Sequence, residues 1–328
     1  MKKASSRVGS HPTTQSTPFL TRDQIGKTLG SASRTVDKLL RRGHLKTVNA
    51  GKLGVRVRNH PAGKPILLGS GVCGSNTPYL SREQAVLLLG PAGSGKSTLL
   101  FQMAMHFAAG LPWCGIAPDR PLRVLFVCNE KWDTREAIDG IVDEFCAHEK
   151  SRFLDLTDDN LAILDTQPGL SGDQYSDVVL RPIFEHRADL VVMDPLSFPG
   201  VTFSREAEVS QLLRAWVNPA LRATGSGMIC SCNAGMSMPV LDGALLEEAY
   251  HMVESPVLLD WAWATMVLRY ADNHGTFKLV LGKRGKLAGA RHPDGSVAET
   301  LWMRHTRERG VYWKPINPPG KDAPLRKN

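Results

Sequence analysis

Metal-type cysteine patterns are missing from this chain. Its six cysteines, Cys73, Cys114, Cys128, Cys146, Cys230 and Cys232, contain no Cys-x-x-Cys pair and no metal-type spacing with histidine. They read as reduced thiols of a cytoplasmic protein. No apolar stretch approaches the roughly 20 residues that cross a bilayer. The opening "MKKASSRVGSHPTTQSTPF" is basic but has no apolar region behind the charges, so it does not read as a secretory signal. No internal repeat is visible, and aromatic residues make up only 7% of the chain.

Acidic residues are scarce in one place above all. Residues 17–60 hold ten Lys and Arg against Asp23 and Asp37, a local charge of +8 that equals the formal excess of the whole chain. Such asymmetry points to a module facing nucleic acid, joined to a near-neutral body. Residues 1–16 are Ser/Thr-rich and read as a disordered basic arm. In residues 17–60, Thr21 with Gln24 makes a capping box that opens a short helix. "GSAS" turns the chain into a second helix, with Val36, Leu39 and Leu40 inward and Arg34, Lys38, Arg41 and Arg42 outward. "LKTVNAGKLGVRVR" then alternates about 49–51 as a hairpin or wing carrying Lys52 and Arg56. Helix, turn, helix and wing resemble the helix-turn-helix of excisionase and MerR-type proteins. The resemblance implies DNA binding by Arg34, Lys38, Arg41, Arg42, Lys52 and Arg56. A packing module whose basic face is merely solvated is the plainer alternative.

Residues 61–78 are rich in Gly, Pro and Ser and read as a linker. From 79 to 328, apolar strands alternate with longer helices. The strands are "AVLLLG", "RVLFVCNE", "LAILDT", "DLVVMDP" and "GMICSCN", with helices from Lys96, near 134–148, through "YSDVVLRPIFEHR" and over 205–223. That alternation predicts an α/β domain with a mostly parallel, helix-covered sheet. "ATMVLRY", "TFKLVLGKR", "ETLWMRH" and "GVYWKP" are shorter strands and predict a C-terminal antiparallel extension. Trp261, Trp263, Trp302 and Trp313 invite a base-stacking role, but core packing is the simpler expectation.

"VLLLGPAGSGKSTLL" carries the chemistry. Gly90, Pro91, Ala92, Gly93, Ser94, Gly95, Lys96 and Ser97 fit G-x-x-x-x-G-K-[ST], directly after a strand and before a helix. Backbone N–H groups from Ala92 to Lys96 would wrap phosphates at the helix N-terminus, with Thr98 extending the cradle. Lys96 would reach the β- and γ-phosphates of ATP, and Ser97 would hold Mg²⁺. In "LVVMDP", four apolar residues end in Asp194, a Walker-B pattern whose carboxylate would hold the metal shell through water. Pro195 stands where an acid often follows, so Glu130 becomes the candidate general base. Its strand is expected beside the P-loop strand. A helix N-cap or an ion pair with Arg135 is the alternative role for Glu130.

Together, "GPAGSGKSTLLFQMAMHFAAGLPWCG", "RVLFVCNE" and "LVVMDPLS" resemble the RecA-like ATPases, and most of all the plasmid RepA-type hexameric helicases. The resemblance spans roughly residues 80–290. It implies a RecA-like P-loop NTPase core that assembles as a hexameric ring, with ATP at subunit interfaces and single-stranded DNA in the centre. Lys96 and Ser97 become nucleotide and metal ligands, Glu130 the catalytic base and Asp194 the Walker-B acid. Asn233 takes the γ-phosphate sensor position, where the family commonly has His or Gln. Lys283 and Arg284 in "LVLGKRGKLAG" match a Lys/Arg pair that crosses into the neighbour's site, with Lys286 close by, and which of the three acts stays open. Where the family has a channel-facing loop, "NAGMSMPVLDGALLEEAYHMVESP" departs from the pattern, since it is acidic and holds no Lys or Arg. These residues lead to a DNA-acting ATP-driven motor of a plasmid, phage or other mobile element. The alternatives are a nucleotide-gated DNA-binding regulator and a recombinase-like filament former.

Overall fold

The computed structural model describes residues 66–69, 77–128, 134–143, 147–166, 181–196, 205–233, 255–272, 275–306 and 312–318, and the backbone of three short strands before them. Those strands are β1 (Leu20–Thr21), β2 (Thr47–Val48) and β3 (Gly54–Val55), in one antiparallel sheet with β3 in the middle. The β2–β3 pairing flanks 49–51, where the alternating pattern places a hairpin. The two expected helices, and with them Arg34, Lys38, Arg41, Arg42, Lys52 and Arg56, lie outside the described residues.

The stretch 61–78, expected as a linker, contains strand β4 (Ile66–Leu68), paired antiparallel with β5 (Leu80–Ser81). Leu67 and Leu68 are fully buried. Three consecutive apolar residues outweigh the flanking Gly and Pro, because burying them removes apolar surface from water.

Nine strands make the main sheet. In chain order its elements are β6 (Ala85–Gly90), α1 (Lys96–Ala108), β7 (Val124–Cys128), α2 (Thr134–Val142), α3 (Ala147–Asn160), β8 (Leu161–Asp165), α4 (Arg181–His186) and β9 (Leu190–Asp194). There follow α5 (Glu206–Leu212), a π turn over Leu213–Val217, α6 (Asn218–Thr224), β10 (Gly227–Asn233), α7 (Pro256–Trp261), β11 (Ala264–Tyr270), β12 (Thr276–Leu281), β13 (Thr300–Thr306) and β14 (Tyr312–Ile316). Spatially the order is β14-β13-β12-β11-β6-β10-β9-β7-β8. Strands β8, β7, β9, β10, β6 and β11 run parallel, and β12 to β14 continue antiparallel. The expected parallel sheet with an antiparallel extension is present, except that β11 joins β6 in parallel.

β6 lies inside the sheet, and all six of its residues are buried. Val86 and Leu88 pack with Leu99, Phe101 and Phe126 on the α1 face, while Leu87 and Leu89 pack with Val209, Leu213 and Leu258 on the other. A strand covered on both faces has to be apolar throughout, which explains the unbroken run. Two helices escaped the sequence pattern, the short α7 and one between β7 and β8. The expected single helix near 134–148 is two, α2 and α3, and the second, "AHEKSRFLDLTDDN", is mostly polar. It meets the core through Phe153, whose ring stands edge-on to His106 of α1 with centroids 5.9 Å apart, and through the partly buried Leu154 and Leu156. Among the described residues no helix is long and apolar enough to cross a membrane.

A clamp holds the sheet edge where the parallel strands begin. Asp189, just before β9, accepts from Arg82 Nη2 at 2.5 Å, from Arg120 at 3.0 Å through both terminal nitrogens, and from the Arg123 N–H at 3.1 Å. Burial pushes the Asp189 carboxyl up, but the hydrogen bonds from Arg120, Arg123 and Arg82 outweigh it and hold the group at about 2.

Candidate nucleotide site

At its C-terminal end β6 delivers Gly90 into the turn that opens α1. A Cβ on Gly90 would stand 2.8 Å from the Leu268 carbonyl oxygen, so the strand end tolerates no side chain. Gly93 and Gly95 have φ of 72° and 84°, left-handed values natural to glycine. The first helical bond runs from Leu99 N–H to Gly95 O at 3.1 Å. The N–H groups of Ser97 and Thr98 therefore open the helix without an i−4 partner, as an anion site requires. The Lys96 side chain is buried, and Nζ folds back to donate to Gly90 O at 3.0 Å and Pro91 O at 2.8 Å. Thr98 offers its N–H alone, because its hydroxyl donates to Gly95 O at 2.9 Å. Ala92 and Gly93 are exposed, while Ser94 is buried.

Asp194 ends β9, two strands from β6 and therefore about 10 Å away laterally. It is 4% exposed, and Oδ1 accepts a hydrogen bond from Ser231 Oγ of β10. Strand alternation puts Asp194 on the α1 face with Leu190 and Val192, and puts Ser231 and Asn233 there with Ile229. Asn233 ends β10 in register with Gly90 and is exposed. The P-loop, Asp194 and Asn233 thus converge at the C-terminal edge of the parallel strands, the usual ligand crevice of such sheets. Ser231 escaped the sequence reading. A lone hydroxyl at an inward position of "GMICSCN" is the signal that marks it.

β7, the strand leading toward Glu130, is not beside the P-loop strand. β10 and β9 intervene, which puts β7 about 14 Å from β6 and next to β9, with Cys128 in register with Asp194. The helical crossover from β6 skips two positions that later strands fill. Glu130 itself, like Arg135's side chain and residues 234–254 of the acidic segment, lies outside the described residues.

Lys283 and Arg284 follow β12, which runs against β6, so they sit at the opposite sheet edge. The Lys283 N–H donates to Thr265 Oγ1 at 2.8 Å, level with the first half of β6 and roughly 15 Å from Gly90. Lys283 Nζ donates to Ala262 O at 2.7 Å, capping α7. Burial lowers its pKa, reinforced by Arg284 and opposed by Asp260. The Arg284 guanidinium stacks 3.5 Å above the Trp263 ring, and Nε donates to Trp263 O. Lys286 Nζ stands 3.7 Å from Glu299. Of the other tryptophans, Trp313 is fully buried, Trp302 lies under Lys278 Nζ at 4.4 Å, and Trp261 Nε1 donates to Asn218 at 2.8 Å.

A glycine turn between a buried parallel strand and a helix, with lysine and hydroxyl at its exit and an aspartate two strands away, defines a P-loop ATPase-type domain. Residues 76–226 match a family model described as an AAA domain, and that match covers the P-loop, β7 and the Asp194 strand. No curated protein matches the chain.

Proposed function

We propose that this protein is an ATP-driven motor acting on DNA, a hexameric helicase or helicase-like ATPase of a plasmid, phage or other mobile element, working in the cytoplasm. The observation that carries the ATPase half is the convergence of Lys96, Ser97, Asp194 and Asn233 on one sheet edge. Lys96 would bind the β- and γ-phosphates once its Nζ leaves the loop carbonyls, and the first N–H groups of α1 would take the remaining oxygens. Ser97 and the Ser231-supported carboxylate of Asp194 offer hard oxygen donors, which suit Mg²⁺. When bound, that ion neutralises phosphate oxygens. Glu130 would accept the proton of the attacking water, and Asn233 would hydrogen-bond the γ-phosphate.

The DNA half rests on the charge concentrated in residues 17–60 and on the helix-turn-helix pattern there. Lys283 and Arg284 lie too far from the P-loop of their own chain to touch its phosphates, which suits a cation offered to a neighbouring subunit. A nucleotide-gated DNA-binding regulator is the second reading. Its support is the short amide at Asn233, with less reach than Gln, and the acidic segment where a DNA-contacting loop would lie.

ATP hydrolysis with and without single-stranded and duplex DNA, with Lys96→Ala as the blank, separates the two. Strong stimulation by single strands, lost in Lys96→Ala, supports the motor. Slow hydrolysis indifferent to DNA, with duplex still bound, sinks it and leaves the regulator.

A further inference from the structure

The last strand grips the P-loop. Gly95, Thr98 and Gln102 fall on one stripe of the P-loop and α1, and Trp313 of β14 bonds to all three. Its indole Nε1 donates to Gly95 O at 3.2 Å and to Thr98 Oγ1 at 2.9 Å. Its main-chain N–H donates to Gln102 Oε1 at 2.9 Å, and its carbonyl accepts from Gln102 Nε2 at 3.1 Å. The Gly95 carbonyl thereby collects three donors, from Trp313, Thr98 and Leu99. The ring also closes the space over Gly95, since a Cβ there would stand 2.7 Å from Trp313 Cζ2. Phe277 and His305 hold the indole from its other sides, with ring centroids 4.8 and 4.9 Å away.

A peptide unit is planar, so the carbonyl of Gly95 and the N–H of Lys96 point in opposite directions as one rigid group. Fixing the carbonyl fixes the direction in which the Lys96 N–H is aimed. We infer that Trp313 is a positioning residue for nucleotide binding: it sets the Gly95–Lys96 peptide for the phosphate chain and ties β14 to the occupancy of the P-loop. The inference rests on Gly90–Ser97 holding a nucleotide. Because the Gln102 side chain bonds the backbone of Trp313 and not its ring, the whole strand is coupled to α1.

The test has two arms on the full chain. Calorimetric titration with ADP and Mg²⁺ compares wild type, Lys96→Ala and Trp313→Phe, the last keeping an aromatic ring but losing the indole N–H. Wild-type binding abolished by Lys96→Ala establishes the P-loop reading separately. The affinity of Trp313→Phe is expected to fall about 5–10-fold, the effect of losing one or two hydrogen bonds. A merely structural role would lower the melting temperature and leave affinity below it unchanged. The second arm needs no variant: hydrogen exchange of residues 312–316 in wild type should slow at least fivefold on saturation with ADP. Wild-type affinity in a folded Trp313→Phe, or exchange in 312–316 indifferent to ADP, overturns the inference.

Discussion

Asn233 stands in register with Gly90 on adjoining parallel strands, so the last residue of β10 and the first residue of the P-loop share one level of the sheet. A γ-phosphate held by the loop would lie within reach of the Asn233 amide. Asn233→Ala is expected to lower the rate of ATP hydrolysis on the order of 10²-fold, the usual cost of one oxyanion donor, while ADP affinity changes less than about twofold. Steady-state kinetics beside an ADP titration check this. Equal loss of both would mean that Asn233 shapes the loop instead.

Asp194 depends on its neighbour in β10. Removing the hydroxyl in Ser231→Ala leaves the carboxylate without its buried donor. The Mg²⁺ concentration for half-maximal hydrolysis is expected to rise about tenfold, as for the loss of other supports of metal ligands. Titrating Mg²⁺ at fixed ATP measures it, and an unchanged midpoint would remove Ser231 from the site.

The Asp189 clamp makes a stability prediction with a sign. Its carboxyl titrates at about 2 in the folded chain, below the unfolded value near 3.9. The clamp therefore contributes fully above about pH 4, and its contribution fades as pH falls toward 2. Asp189→Ala strands Arg82, whose side chain is 8% exposed, and should cost about 3–5 kcal/mol near neutral pH. The gap between wild type and variant in urea unfolding should narrow as pH falls from 4 toward 2.

His106 works in a different window. Enclosure beside Phe153 pushes the imidazole down to about 4, although the Pro112 carbonyl, 3.1 Å from Nδ1, pulls the other way. The unfolded chain takes up the proton near 6.5 and the folded chain only near 4, so stability falls as pH drops between those values. From pH 7 to 4.5 wild type should lose about 2 kcal/mol more than His106→Gln. Parallel pH dependence in the two proteins would show that another group is responsible.

Much of this molecule was legible in its residues because the signals are local. A buried strand needs an unbroken apolar run, a phosphate turn needs glycines at fixed offsets, and a strand ending in Asp announces itself; hence β6, the P-loop and Asp194 were found from the sequence. α3 was missed because a mostly polar helix docks through a few apolar side chains, Phe153, Leu154 and Leu156, and β4 because three apolar residues sat among Gly and Pro. The charge of residues 17–60 was equally plain, but charge alone does not say what it meets. What only the tertiary structure decided is which strands become neighbours. Sheet order depends on long-range pairing that no window of sequence contains. It put β10 and β9 between β7 and the P-loop strand, gave Asp194 its Ser231, and brought Trp313, more than 200 residues along the chain, onto the carbonyl of Gly95.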